Sequence, residues 1–240
     1  MVNKSRLDVE LARRGLVSSR SQAESYIKLA KVKVNGQVQT KPGFLVRDTD
    51  KITPEQAEQY VSRAGLKLAS VAATLGLDFT NKVVLDVGSS TGGFTDYALK
   101  NGAAKVIAVD VGTNQLHERL HGDPRIELHE QTDVRDLRLT EAVDIVLIDV
   151  SFVSVRQILP SVATLSSKNT QIVVMLKPQF EASAKDVNKG VIKNDKIRRQ
   201  IFKDFEAWSK NYFVVLGKSD SGVAGSKGNQ ERFYLLKKQG

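Results

Sequence analysis

The hydrophobic positions of the first 60 residues are spaced as on short helices. Leu7, Leu11 and Leu16 recur at near-helical intervals, which predicts a first helix with one apolar side. Ser18 or Ser19 can cap a second helix, because a serine hydroxyl accepts a hydrogen bond from a free backbone N–H at a helix start. The apolar stripe of this second helix consists of Ala23, Tyr26, Ile27 and Ala30.

An alternating pattern follows these two helices. Apolar and polar residues alternate over residues 32–38 around Asn35 and Gly36. An Asn-Gly pair between two such runs is typical of a tight β-hairpin. A return strand near residues 50–52 would complete a small sheet, so this segment is predicted to mix helices and strands.

Beyond residue 60 the pattern changes to buried strands that alternate with amphipathic stretches. Such alternation predicts a doubly wound α/β sheet with crossover helices. The chain is therefore divided into a small α+β domain at residues 1–60, a linker at 61–64 and a larger domain at 65–240. The candidate strands of the larger domain are 83–87, 105–109, 126–128, 144–149, 171–176, 212–216 and 232–237.

The most informative segment is 83–94, where an apolar run and an acid lead into glycines and then a helix. Glycine lets the backbone approach a ligand, since no Cβ stands in the way. Ser90 stands where a dinucleotide-binding turn would have its middle glycine, and Asp86, two residues before Gly88, suits a positively charged ligand. S-adenosylmethionine has an ammonium, a sulfonium and no phosphate, so we expect it here. A turn that only packs a helix on the sheet is the alternative.

Two further acids stand where an adenosine would be bound. Asp110 follows the second predicted strand, where a carboxylate can accept hydrogen bonds from both ribose hydroxyls. This position does not distinguish NAD from S-adenosylmethionine. Asp133 follows the short candidate strand and could contact the adenine amino group, or it could be a solvated loop acid.

Asp149 and Lys177 directly follow two successive predicted strands. A charge at the end of a buried strand is costly to desolvate without a partner, so both are expected to face one crevice, and a simple ion pair would explain them. In the catalytic alternative, a lysine takes the proton of a ribose 2′-hydroxyl once burial and a second cation bring the pKa of a lysine amine below ~10.4. Lys67 could be that cation, and Glu231 could hold Lys67 or the ribose. Spacing alone does not bring the four together.

The net charge of +9 is unevenly distributed along the chain. Residues 1–60 carry +4, residues 61–181 carry −2 and residues 182–240 carry +7. A near-neutral middle with two basic ends favours a catalytic core flanked by surfaces for a polyanion such as nucleic acid. Basic charge that only keeps the protein soluble is the alternative.

The composition excludes several classes of site. The absence of cysteine rules out disulfides, thiolate metal sites and a cysteine nucleophile. The three histidines, His117, His121 and His129, are more typical of surface positions than of ligands, so no metal is expected. No apolar run approaches the ~20 residues of a membrane span, and no signal-peptide core follows the first residues. A cytoplasmic protein without a membrane span is expected, and no oligomeric state is implied.

The first 60 residues resemble the S4 RNA-binding domain. The matching segments are Arg6-Leu7-Asp8, Ser19-Arg20-Ser21-Gln22-Ala23, Ile27, Lys31-Val32-Lys33-Val34-Asn35-Gly36 and Lys41-Pro42. The resemblance implies a basic helical face that grips structured RNA through phosphates and shape. The residues expected to contact RNA, here and in the basic C-terminal third, are Arg6, Arg13, Arg14, Arg20, Lys28, Lys31, Lys33, Lys189, Lys193, Arg198 and Arg199.

The larger domain resembles the FtsJ-like ribose 2′-O-methyltransferases, whose Lys-Asp-Lys-Glu tetrad is matched by Lys67, Asp149, Lys177 and Glu231. With the S4 segment and the sequences Asp-Val-Ser-Phe and Lys-Pro-Gln-Phe-Glu, nearly the whole chain is similar to the TlyA family, also called haemolysins. The resemblance implies methylation of cytidine 2′-hydroxyls in ribosomal RNA, with S-adenosylmethionine as cofactor, Lys177 as the base and the other three positioning it. The residues implied to form the cofactor site are Asp86, Gly88, Ser89, Gly92, Gly93, Phe94, Asp110 and Asp133.

Two positions depart from the family pattern, and three rival functions remain. Asp133 stands where relatives commonly have Asn, and Ser226 replaces a frequent Pro before the segment that leads to Glu231. Neither change touches the tetrad. The rivals are a non-catalytic RNA-binding factor for ribosome assembly, a membrane-active haemolysin and an NAD-dependent enzyme. The pairing of Lys177 with Asp149 favours the methyltransferase over all three.

Overall fold

The chain forms two compact units, Met1–Arg63 and Ala64–Gly240. A computed structural model describes residues 4–17, 19–54 and 59–239 of it. The helix that opens the larger unit begins at Arg63, so the predicted linker at 61–64 overlaps the first two residues of this helix.

The smaller unit contains the predicted mixture of helices and strands. Its elements are β1 Lys4–Arg6, α1 Leu7–Arg13, α2 Arg20–Lys28, β2 Val32–Val34, β3 Gln37–Gln39, β4 Leu45–Arg47 and β5 Ile52–Pro54. The predicted hairpin is confirmed, because β2 pairs antiparallel with β3 across a turn in which Asn35 and Gly36 both have positive φ. The return strand is confirmed as β5, which pairs with the other side of β2. Ser19 caps α2 by accepting a hydrogen bond from the Gln22 N–H, whereas Ser18 lies outside the described residues.

The larger unit is built around one sheet. Its elements are α3 Arg63–Ala72, β6 Val83–Val87, α4 Gly93–Lys100, β7 Lys105–Val109, β8 Ile126–His129, β9 Ile145–Ile148, α5 Val155–Leu165, β10 Gln171–Leu176, α6 Pro178–Glu181, α7 Asp195–Ser209, β11 Phe213–Asp220 and β12 Arg232–Lys238. All seven predicted strands are present, and β11 is longer than predicted because it continues past an irregularity between Val215 and Gly217. The apolar residues of β9 and β10 are buried on both faces, as expected for central strands covered by helices.

The strand order of this sheet is β11-β12-β10-β9-β6-β7-β8. The five strands from β10 to β8 run parallel to their neighbours, whereas β12 is antiparallel to both β10 and β11. The prediction of a doubly wound sheet is thereby confirmed. Because β12 runs the other way, its first residues lie at the same edge as the last residues of β10 and β9. That edge carries the polar residues singled out in the sequence.

Candidate active site

The strand register brings the four predicted catalytic residues to one edge of the sheet. Asp149 and Lys177 directly follow β9 and β10, which pair in parallel. Leu176 pairs with Arg232, so Glu231 lies beside Lys177 at the start of the antiparallel strand. Lys67 reaches this edge from α3.

Two ion pairs connect these side chains. The Lys177 Nζ lies 2.6 Å from Asp149 Oδ1, and the Lys67 Nζ lies 2.6 Å from Glu231 Oε2. All four side chains are at most 15% exposed. Burial raises the pKa of Asp149, while Lys177 and Lys67 both act against that rise. The carboxyl of Asp149 therefore experiences both cations, and the simple ion pair left open by the sequence is one contact of a larger cluster.

A cavity of about 580 Å³ opens beside this cluster. Its size lies within the range of sites for small molecules and cofactors. The cavity is lined by three of the residues predicted to bind the cofactor, Gly88, Asp110 and Asp133. Asp149 also lines the cavity and thereby connects it to the ion pairs.

The glycine turn forms one wall of the cavity. Gly88 has a φ of +80°, and a Cβ at this position would lie 2.8 Å from the backbone oxygen of Asp149, so only glycine fits. The backbone N–H groups of Gly88 and Ser89 both donate to the carbonyl of Val109. The N–H of Ser90 donates to Asp110 Oδ2 at 2.8 Å. The turn is thus fixed against the end of β7. Asp110, the acid predicted to hold a ribose, is hydrogen-bonded to the turn.

The other predicted cofactor residues lie behind this wall rather than on it. Phe94 is buried, and its ring centre lies 6.1 Å from that of Phe233. Ser89 is buried in the turn, while Gly92 caps and Gly93 begins α4. These residues shape the turn, and direct contact of any of them with a cofactor stays a prediction.

Asp86 is a buried carboxyl with one unsatisfied oxygen. Its side chain is fully buried, and Oδ2 accepts a hydrogen bond from the Thr95 hydroxyl at 2.7 Å. Oδ1 is buried and accepts no hydrogen bond from any described residue. Burial raises the pKa of Asp86 to about 7. Asp86 is not among the residues that line the cavity, so its contact with the ammonium of S-adenosylmethionine stays a prediction.

Asp133 is held by a neighbour that the sequence pattern did not indicate. The Arg135 guanidinium donates to both carboxylate oxygens of Asp133, at 2.9 Å and 2.6 Å, and lowers the pKa of this acid. Asp133 therefore remains ionised and fixed at the cavity wall. Its oxygens could still accept a hydrogen bond from an adenine amino group, and this contact stays a prediction.

Two residues at the site belong to the Asp-Val-Ser-Phe pattern but were not predicted to have a role. Ser151 accepts a hydrogen bond from the Lys177 Nζ at 2.7 Å. Phe152 is 92% exposed at the cavity rim, has a φ of +65° and lies 5.2 Å, centre to centre, from the ring of Phe180. Their position directly after Asp149 was a signal. The left-handed backbone that turns Phe152 outward could not be read from the pattern.

The loop that carries Glu231 is held by the side chain of Asn229. The Asn229 Oδ1 accepts from the Ile192 N–H at 3.0 Å, and its Nδ2 donates to the Gly190 carbonyl at 2.8 Å. Asn229 is itself buried. These bonds fix the loop that contains Ser226, and they act two residues before Glu231.

Two buried acids of the smaller unit hold four of the predicted RNA-binding arginines. Asp8 accepts from Arg6 and from Arg20, each at 2.9 Å, and these arginines lower its pKa to about 2. Glu10 pairs in the same way with Arg13 and Arg14.

The four arginines differ in what they leave available to a ligand. Arg14 also donates to the backbone oxygens of Arg47, Asp48 and Asp50 and is 22% exposed, so its guanidinium is largely used within the domain. Arg6, Arg13 and Arg20 keep about half of their side chains exposed.

The predicted RNA-contacting lysines and the C-terminal arginines lie mostly on the surface. Lys28 is exposed on α2, and Lys31 and Lys33 are partly exposed on and before β2. In the larger unit Lys189, Lys193 and Arg199 are exposed, whereas Arg198 is partly buried and pairs with Asp195 at 3.0 Å. Their role in binding RNA stays a prediction.

The sequence matches two protein families, described as FtsJ-like methyltransferase over residues 60–238 and as S4 domain over residues 5–52. A Brachyspira hyodysenteriae protein named Hemolysin A is 39% identical over 234 residues, covering 94% of this chain and 97% of its own. A Mycobacterium tuberculosis protein named 16S/23S rRNA (cytidine-2'-O)-methyltransferase TlyA is 35% identical over 246 residues, covering 100% and 92%.

Solved structures agree with this assignment. A protein from Streptococcus thermophilus that carries a provisional hemolysin name superposes with a TM-score of 0.75 at 36% identity, covering 100% of this chain and 90% of its own. The FtsJ-like match spans well over half of the chain, and the relatives cover it almost completely. The chain therefore belongs to the TlyA family, FtsJ-like methyltransferases that carry an S4 domain and use S-adenosylmethionine.

Proposed function

We propose that this protein methylates the 2′-hydroxyl of cytidine ribose in ribosomal RNA, in the cytoplasm. The 23S RNA is the first candidate substrate and the 16S RNA the second. The observation that carries the proposal is the Lys177–Asp149 pair, which lies beside the Lys67–Glu231 pair at the mouth of a cofactor-sized cavity. The name of the Mycobacterium tuberculosis relative supports the choice of substrate.

Lys177 is assigned the proton transfer. A ribose hydroxyl is a very weak acid, so its oxygen becomes a sufficient nucleophile only as a base removes the proton. The Nζ of Lys177 receives this proton, while Asp149 holds the amine and stabilises the ammonium that forms. The Lys67–Glu231 pair closes the other side of the cluster, where Lys67 contributes positive charge and Glu231 fixes its position.

The cavity supplies the cofactor site in this proposal. S-adenosylmethionine supplies the methyl group on a positively charged sulfur. Asp86 would hold its ammonium, and Asp110 would accept hydrogen bonds from its ribose hydroxyls. Gly88 allows the backbone to approach without a Cβ, and Asp133 would face the adenine.

The exposed ring of Phe152 gives the target nucleotide a surface to stack on. This ring is 92% exposed and lines the cavity, so a base that enters there can contact its face. Enzymes that modify one nucleotide commonly extrude it from its stack and hold the base against an aromatic side chain. Phe152 lies three residues beyond Asp149, so a base on this ring would bring its ribose near Lys177.

The function is tested by offering purified ribosomal subunits, each separately, to the protein with S-adenosylmethionine that carries a labelled methyl group. We expect label on a cytidine 2′-oxygen of the large subunit, located by mapping the RNA. A ribosome-assembly factor that only binds RNA would incorporate no label. Label on a base rather than a ribose would also contradict the proposal.

Membrane lysis is a second candidate only because of the name Hemolysin A. Across residues 4–17, 19–54 and 59–239, the helices are too short or too polar to cross a membrane. Lysis of erythrocytes by the purified protein, undiminished in a Lys177→Ala variant, would support this candidate against the methyltransferase.

RNA binding by the smaller unit is expected to depend on its lysines. Replacing Lys28 and Lys31 together by glutamine should weaken binding to ribosomal RNA and make it less sensitive to salt. The slope of log affinity against log salt should fall by about 0.7 to 0.9 for each phosphate that is no longer neutralised. Lysines are the sharper choice, since Arg6 and Arg20 also neutralise the buried Asp8. Filter binding or fluorescence anisotropy at several salt concentrations measures the slope.

The matched control for this experiment is Arg138→Gln, which removes an exposed charge from the near-neutral middle of the chain. Its salt slope should equal that of the unmodified protein. An unchanged slope in the double lysine variant would remove this face from the RNA interface.

A further inference from the structure

The amine of Lys177 has two partners in the structure, an ion pair with Asp149 and a hydrogen bond to Ser151. Its Nζ lies 2.6 Å from Asp149 Oδ1 and 2.7 Å from the Ser151 Oγ. The ring centre of Phe180 is 6.0 Å away, at the outer limit of a cation–π contact and too far to accept a hydrogen bond. Lys177 is buried, whereas Ser151 is exposed and lines the cavity. The serine hydroxyl therefore lies between the Lys177 amine and the cavity.

The shape of an amine makes this second partner informative. A neutral lysine amine has two N–H bonds and one lone pair in tetrahedral directions, and the group rotates freely about its last bond unless its hydrogens are held. A single partner can be met by either hydrogen, which leaves the lone pair two directions. Here the serine oxygen accepts one N–H bond and the carboxylate attracts the other hydrogen through the ion pair, so one direction of the lone pair is favoured.

We propose that Ser151 is a positioning residue that fixes the rotation of the Lys177 amine and so aims its lone pair at the ribose 2′-oxygen. The inference rests on the proposed role of Lys177 as the base. During the reaction the hydroxyl proton moves to this lone pair, and the resulting ammonium keeps its hydrogen bond to Ser151 and its ion pair with Asp149. Neither contact has to be rearranged, which is what lowers the barrier when a catalytic group is held in place beforehand.

The loop that carries Ser151 is anchored without its hydroxyl. The N–H of Asp149 donates to the Val87 carbonyl at 3.0 Å. On the other side of the loop, Glu181 accepts from the Ser154 hydroxyl at 2.6 Å and from the Val155 N–H at 2.8 Å. Removing the Ser151 hydroxyl should therefore leave the backbone in place. This separates a role in aiming the amine from a role in holding the loop.

The test compares Ser151→Ala and Ser151→Thr in single-turnover methylation, since product release can hide the chemical step at steady state. For alanine we expect a fall of the rate constant on the order of tenfold to a hundredfold, as for a misaligned catalytic group. Affinity for RNA and for S-adenosylmethionine should change by less than about twofold, since the hydroxyl acts on the reacting amine rather than on binding. Threonine keeps the hydroxyl and should recover most of the rate. Ser183→Ala, which removes an exposed hydroxyl bonded to Asp186, is the control.

Three outcomes would overturn the inference: an unchanged rate with alanine, a loss of affinity in place of rate, or a rate that threonine does not restore. A Lys177→Arg variant assayed in parallel separates this inference from the proposed function. If that variant is inactive while Ser151→Ala is fully active, only the role of Ser151 fails. If the arginine variant is active, the role of Lys177 as the base fails, and the role of Ser151 fails with it.

Discussion

Lys177→Ala is expected to lower single-turnover methylation of ribosomal RNA about a thousandfold or more, while affinity for RNA is preserved. General acid–base catalysis by a positioned side chain contributes 10²- to 10⁴-fold, and no other described lysine lies as close to Asp149 at the cavity. The measurement is the transfer of labelled methyl groups at saturating enzyme, with binding followed separately.

Alanine at this position also removes the cation that partners Asp149, so stability has to be controlled. Leaving one member of a buried ion pair alone costs about 3 to 5 kcal/mol. Lys177→Arg retains the positive charge, but its guanidinium cannot lose a proton at working pH. Both variants should be inactive, and the arginine variant should melt close to the unmodified protein. Lys168→Ala, on an exposed loop, should behave as the unmodified protein. A fully active, folded arginine variant would contradict the assignment.

Asp86 is expected to make the stability of the cofactor-free protein fall as the pH rises toward 7. Burial raises the pKa of this carboxyl from 3.8 to about 7, so the folded state resists its ionisation while the unfolded chain does not. The stability that protonated Asp86 contributes is fully present below pH 3.8 and is lost as the pH rises through 7. Each pKa unit corresponds to 1.36 kcal/mol, which makes the whole loss on the order of 4 kcal/mol. Denaturant unfolding at a series of pH values measures it.

An Asp86→Asn variant isolates this effect from other groups. The difference in unfolding free energy between the two proteins should shift in favour of the variant between pH 5 and pH 7.5. Binding of S-adenosylmethionine near pH 6.5 should release a proton from the unmodified protein, because an ammonium stabilises the ionised carboxylate. Calorimetry in two buffers of different ionisation heat detects that proton, and the variant should bind more weakly and release none. Asp204→Asn, an exposed acid on α7, is the control. Parallel pH profiles for Asp86→Asn and the unmodified protein would contradict the prediction.

Hydrophobic spacing was sufficient for the layout of the fold. The strands from β6 to β10 were predicted within a residue or two at their ends, because most of them are apolar runs bounded by polar residues, whereas the short β8 alternates apolar and polar residues. The hairpin at Asn35-Gly36 was equally clear, since that pair favours positive φ at both positions. The direction of β12 was not in the pattern, because apolar runs do not tell parallel from antiparallel strands. That direction is what brings Glu231 to Lys67, so the sequence pattern left open whether Glu231 would hold Lys67 or the ribose.

The orientation of charged and exposed side chains was harder to predict from the sequence than the layout of the strands. Arg14 and Arg20 are the same residue type in the same domain, but their surroundings differ. The guanidinium of Arg14 is largely occupied by backbone carbonyls, whereas about half of the Arg20 side chain is exposed. That difference depends on interactions between segments that are distant in sequence. The outward turn of Phe152 similarly depends on a backbone conformation that non-glycine residues seldom adopt. Sequence could place these residues near a site without saying which way they point.

The position of β12 between β10 and β11 also has a consequence for biosynthesis. Lys67 lies near the beginning of the larger unit and Glu231 near its end, and the two meet only after the final strand has been inserted into the sheet. A nascent chain that still lacks this strand leaves Lys67 without its carboxylate and β10 without one neighbour. In the proposed mechanism, methyl transfer therefore requires β12 to have been inserted beside β10. A chain in which this strand has not yet paired would lack the Lys67–Glu231 pair of the proposed site.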